Sequence, residues 1–128
     1  MDFQVKLFNW QDQGNHLIVL ARGTMDKRAF GELFREIEIA TEHLSECKVL
    51  VDLSDSAYEI SHAEIDTFVA ELPLYRWPRG NKVAFVSTPE TSCYNRLEYL
   101  RIALAPRNVP VGLFRDTKIA IDWLAGIV

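Results

Sequence analysis

The stretch Lys48-Val-Leu-Val-Asp-Leu-Ser-Asp-Ser-Ala-Tyr-Glu-Ile-Ser-His-Ala-Glu64 restricts the fold of this chain more than any other. Val49, Leu50, Val51 and Leu53 form a nearly unbroken apolar run with β-branched members, the pattern of a strand covered on both faces of a parallel sheet. It reads as the central strand. Asp52 and the cluster Ser54-Asp55-Ser56 are expected to mark its carboxyl end. Ser61-His62-Ala63-Glu64 then has the spacing of a capping box, in which a serine hydroxyl and a glutamate carboxylate each accept a backbone N–H at a helix start. Strand, short loop and helix N-terminus in succession place a candidate site at the carboxyl edge of an open α/β sheet.

The flanking segments fit that plan. Phe3, Val5 and Leu7 alternate with Gln4 and Lys6, which predicts a half-exposed strand. Asp12-Gln-Gly-Asn15 supplies a turn, and His16 to Ala21 is a second, more apolar strand. So short a connection makes the two an antiparallel hairpin with the first strand at an edge. From Asp26 to about Ser45 the apolar period lengthens to that of a helix, with Phe30, Leu33, Phe34, Ile37 and Leu44 on one stripe. A second helix runs from Ser61 towards Pro73 and buries Ile65, Phe68, Val69 and Leu72. Lys82 to Ser87 is a strand. Cys93, Leu97, Leu100 and Leu104 define a third helix that stops before Pro106, and Val109 to Phe114 is a last strand. Its Pro110 lacks a donor and its Gly112 weakens a ladder, so it belongs at an edge. Asp116 or Thr117 caps a final helix whose Ala120, Trp123, Leu124 and Ile127 face inward.

The expected fold is therefore one α/β domain spanning residues 1–128, in the order ββαβαβαβα. It holds a mixed, mostly parallel five-stranded sheet with an N-terminal antiparallel hairpin and four helices. A chain of 128 residues buries enough surface to fold without disulfides or metals. Its net charge of −4 gives no general attraction to phosphate backbones, so nucleic acid is not an expected partner. Cys47 and Cys93 match no metal-ligand or disulfide spacing. The start Met-Asp-Phe-Gln has no basic flank or apolar leader, and no apolar run reaches the roughly 18 residues of a membrane span. A cytoplasmic protein without cofactor or metal is expected.

The element order resembles that of the STAS-like group, and so do Val51-Asp-Leu-Ser54 leading into a helix cap and the closing Phe114-Arg-Asp-Thr-Lys-Ile-Ala-Ile-Asp-Trp-Leu124. The resemblance covers nearly the whole chain and is strongest to the small stand-alone SpoIIAA-like bacterial proteins. It implies a soluble, non-catalytic regulatory module. In anti-sigma-factor antagonists of that group the second helix opens with Asp-Ser-Ser-Gly, whose second serine is phosphorylated by a partner kinase. Counted from Asp52, that pattern falls on Ile60, Ser61, His62 and Ala63, so His62 stands where the pattern has its phosphoacceptor serine and Ser61 at the serine before it.

Two function classes remain. The first is a binding or regulatory module that engages a protein partner or small ligand near Asp52, Ser54, Asp55, Tyr58, Ser61 and His62. The second is a small hydrolase or transferase using Ser61 and His62 with Asp52, although no nucleophile elbow, glycine-rich phosphate loop or metal set accompanies them. The binding module is the favoured reading. Leu72-Pro-Leu-Tyr-Arg-Trp-Pro-Arg-Gly80 places Tyr75, Arg76 and Trp77 in a proline-stiffened connector. Aromatics with arginine are enriched at interface hot spots, so this segment is expected to contact another chain, as in a homodimer, or to fold back on its own core.

Overall fold

The computed structural model describes residues 2–10, 14–44, 47–71, 82–87, 92–107 and 110–126. The chain runs β1 (Asp2–Trp10), β2 (Gly14–Met25), α1 (Lys27–Thr41), β3 (Lys48–Tyr58), α2 (His62–Glu71), β4 (Val83–Val86) and α3 (Ser92–Leu104). A short 3-10 turn (Ala105–Arg107), β5 (Val111–Phe114) and α4 (Thr117–Leu124) complete it. The five strands form one sheet in the order β1-β2-β3-β4-β5. β1 pairs antiparallel with β2, and every later pair is parallel. The predicted hairpin, central strand and edge strands are all present.

The monotonic strand order fixes the layers. Each parallel connection advances by one strand in the same direction, so right-handed crossovers put all three crossover helices on one face. Val49, Val51 and Leu53 of β3 accordingly join the large core beneath α1, α2 and α3, together with Leu17, Val19, Val83 and Phe85. Phe30, Phe34 and Phe68 close the junction of α1 with α2, with ring centroids 4.7–5.5 Å apart. The alternate residues Leu50, Ala84 and Val86 face the other way and, among the described residues, pack with Ala120, Trp123 and Leu124 of α4.

Three helix starts are capped by their own sequence. The Asp26 carboxylate accepts from Ala29 N–H at 2.8 Å, and Asp116 accepts from Lys118 and Ile119 N–H at 2.7 and 3.3 Å. At α2, Ser61 N–H donates to Glu64 Oε1 and Glu64 N–H to Ser61 Oγ, both at 3.1 Å. Ile60 and Ile65, which flank this box, are both buried in the large core and staple the entry of the chain.

Several boundaries differ from expectation for physical reasons. α1 ends at Thr41, whose buried hydroxyl donates to the Ile37 carbonyl at 2.7 Å, while Leu44 packs against the core from beyond the helix. β2 and β3 extend past Ala21 and Leu53. Arg22 to Met25 pair with Asp55 to Tyr58, so Ser54-Asp55-Ser56 lies within β3 and does not end it. Gly112 in β5 is required by packing, because a Cβ there would sit 2.5 Å from the Phe114 ring. Leu72 and Ile127, and the side chain of Cys93, lie outside the described residues.

Candidate functional site

Between Leu20–Asp52 and Arg22–Asp55 the β2–β3 register shifts: three steps along β3 match two along β2, so Leu53 and Ser54 share one extra residue. Bulges in parallel pairs are uncommon, and they free backbone groups that need new partners. Ser54 N–H donates to Asp52 Oδ1 at 3.0 Å, and the Ser54 hydroxyl donates to the same oxygen at 2.6 Å. Further along β3 the buried Ser56 hydroxyl donates across to the Ala21 carbonyl of β2 at 2.9 Å. Arg22 Nε lies 3.9 Å from Asp55 Oδ2. Both side chains are largely exposed, so that pair contributes little.

These contacts assign the predicted residues to different places. Asp52 follows Leu50 by one alternation of the strand, which puts its carboxylate on the α4 side of the sheet. Ser61 and His62 start α2 on the opposite side, and the sheet separates them from Asp52. Ser54 and Asp55 are exposed on the bulge. The backbone of Tyr58 pairs with Met25. The Tyr58 side chain and the whole of Tyr75, Arg76 and Trp77 lie outside the described residues.

His62 has other neighbours than those its position in the sequence suggested. Its ring stacks on Tyr99 of α3, with centroids 4.2 Å apart and planes inclined by 11°. The Tyr99 hydroxyl donates to Asp66 Oδ1 at 2.7 Å, and Asp66 sits one turn after His62 on α2. The Asp66 carboxylate, which accepts this bond, pushes the Tyr99 phenol above its ordinary range and keeps it protonated. Tyr99 is thus a donor, not a nucleophile. The Ser61 hydroxyl meanwhile accepts the Glu64 N–H, and no hydrogen bond joins Ser61 to His62 among the described residues. Asp66 was readable from its four-residue spacing to His62, which puts both on one helical face. Tyr99 had no local signal, because only the packing of α2 on α3 brings it near.

Polar residues also line the described carboxyl edge beyond β2. A shallow cleft between the end of β2 and the start of α1 is lined by Thr24, Asp26, Arg28, Ala29 and Glu32, with Arg28 Nε paired to Glu32 Oε1 at 3.1 Å. At the amino edge, burial and the nearby Lys48 charge hold His16 below its usual range, against a raising hydrogen bond to the Gly14 carbonyl, with burial the larger effect. Burial pushes the Cys47 thiol up to about 11, so it does not act as a thiolate near neutral pH. Among the described residues no group of His, Cys, Asp and Glu could hold a metal ion, and no helix is long and apolar enough to cross a membrane.

No protein-family model and no curated protein matches the chain. Among solved structures it is similar to an uncharacterized protein of the DUF3478 family with a SpoIIAA-like fold, from Shewanella loihica PV-4. The TM-score is 0.61 and the identity 20%, over 95% of this chain and 93% of that one. The likeness establishes a SpoIIAA-like, STAS-like fold, in agreement with the resemblance carried by the sequence.

Proposed function

We propose that this protein is a non-catalytic regulatory or binding module of the STAS-like type that engages a protein partner near the carboxyl edge of its sheet and the start of α2. The observation that carries the reading is the engagement of Ser61 and Glu64 with each other, which leaves an exposed His62 stacked on Tyr99 as the feature presented beside the helix start. The described part of this edge carries Thr24, Asp26, Arg28 and Glu32, charged and polar groups of the kind found at the rim of a protein–protein contact. Asp55 and Arg22 on the bulge, with Tyr58 nearby in sequence, extend the proposed surface. Tyr75, Arg76 and Trp77 are proposed as a separate interface with another chain, a second copy of this one included, and the setting as the cytoplasm.

Photocrosslinking from position 62 tests this reading. One discrete partner is expected to be captured by the wild type and lost with Tyr99→Ala or Asp55→Arg. Ser61-dependent turnover of an activated ester or phosphoester would overturn it in favour of the hydrolase or transferase.

A further inference from the structure

The two edges of the sheet are built differently. β5 has four residues and is entered through Pro110, which has no N–H to offer, so that edge is poorly suited to accept a further strand. β1 has nine residues without proline, and no described strand pairs with its outer side. A long unpaired edge is a template for another strand unless something guards it.

Charge on β1 does not guard it against its own copy. Asp2, Gln4 and Lys6 are exposed and alternate with Phe3 and Val5, which are half-buried against the large core. Asp2 and Lys6 lie symmetrically about Gln4 and carry opposite signs. Neither forms an ion pair among the described residues, and Arg22, which stands opposite Asp2 in the β1–β2 register, lies near Asp55 instead.

We propose that β1 is a self-association surface, to which a second copy of this chain adds antiparallel about a two-fold axis through Gln4. In that register Asp2 of each copy faces Lys6 of the other, Phe3 faces Val5, and the two Gln4 amides meet at the axis. Opposite charges directly across an antiparallel pair attract and like charges repel, so the pattern selects this register. Moving the axis to Lys6 would oppose two lysines, and a parallel pairing would place Asp2 beside Asp2. The contact is self-complementary, as a two-fold interface must be, and it continues the sheet with α1 of both copies on the same face. The bulge and the start of α2 stay uncovered, so association through β1 is independent of partner binding at the carboxyl edge.

Sedimentation of the full chain over a micromolar to high-micromolar range tests the proposal. The wild type is expected to dimerise. Asp2→Lys or Lys6→Asp alone sets like charges opposite each other twice per dimer and should weaken association about tenfold or more. The double exchange Asp2→Lys with Lys6→Asp should restore it. A wild type that stays monomeric, single reversals that leave the dimer intact, or a double variant as weak as the singles would each overturn the proposal. If a variant fails to fold, amide exchange of the wild type decides: the alternate amides of residues 2–6 that point away from β2 must gain protection as concentration rises, and unchanged exchange there rejects the contact.

Discussion

The Ser56 hydroxyl hydrogen-bonds the Ala21 carbonyl at 2.9 Å, joining residues 35 apart in sequence at the point where β3 carries one residue more than β2. The bond gives the Ala21 carbonyl a partner where the register shifts, and it lets the two strands continue pairing to Met25 and Tyr58. Ser56→Ala should therefore cost about 1–3 kcal/mol, because it leaves a buried acceptor unsatisfied. Ser54→Ala, on the exposed side of the same bulge, should cost under about 1 kcal/mol. Equal losses for the two variants in denaturant titration would contradict this account of the bulge.

The start of α2 gives a second prediction. Ser61→Ala should destabilise by about 0.5–2 kcal/mol, while Ser61→Asp should keep most of the stability because a carboxylate also caps. Urea unfolding of both variants measures the difference. A Ser61→Ala variant of unchanged stability that loses partner capture would show that the hydroxyl serves recognition and not the cap.

The central position of β3 predicts a gradient across the sheet. Leu50 is 3% exposed and Val51 fully buried, so truncating either to alanine should cost about 1–5 kcal/mol. Gln4→Ala on exposed β1 should leave monomer stability nearly unchanged. Comparable small losses at all three positions would be incompatible with this layering.

His16 predicts a dependence of stability on pH. Its ring is buried, and a carbonyl can only accept, so Nδ1 carries the proton donated to Gly14. Burial lowers the folded pKa below the unfolded value of 6.5, so the folded state binds fewer protons than the unfolded one. The contribution is complete above pH 6.5 and falls as pH drops from there through the lower folded value. Wild type should lose more stability than His16→Gln between pH 8 and pH 5. Parallel losses in the two proteins would mean that His16 does not titrate as described.

The residues that determined local structure were legible one segment at a time. Ser61 and Glu64 announced the cap by their spacing, Val49 to Leu53 the buried strand by their unbroken apolarity, and Pro110 with Gly112 the edge strand by what they cannot donate or pack. Short-range periodicity and capping depend on near neighbours, so a single sequence contains them. The polar run Ser54-Asp55-Ser56 misled for the same reason. Its local chemistry is that of a loop, and only the pairing with Arg22 to Met25 makes it strand.

What the sequence by itself determined is the type and order of the elements, the hairpin and the central strand. Only the tertiary structure decided that Asp52 and Ser61 lie on opposite sides of the sheet, that His62 rests on Tyr99, and that α4 packs on the second face. Each of these depends on register or on helix-to-helix packing, where one residue of bulge or one turn of rotation redirects a side chain. Energies of that kind belong to contacts between segments distant along the chain, and no local pattern encodes them.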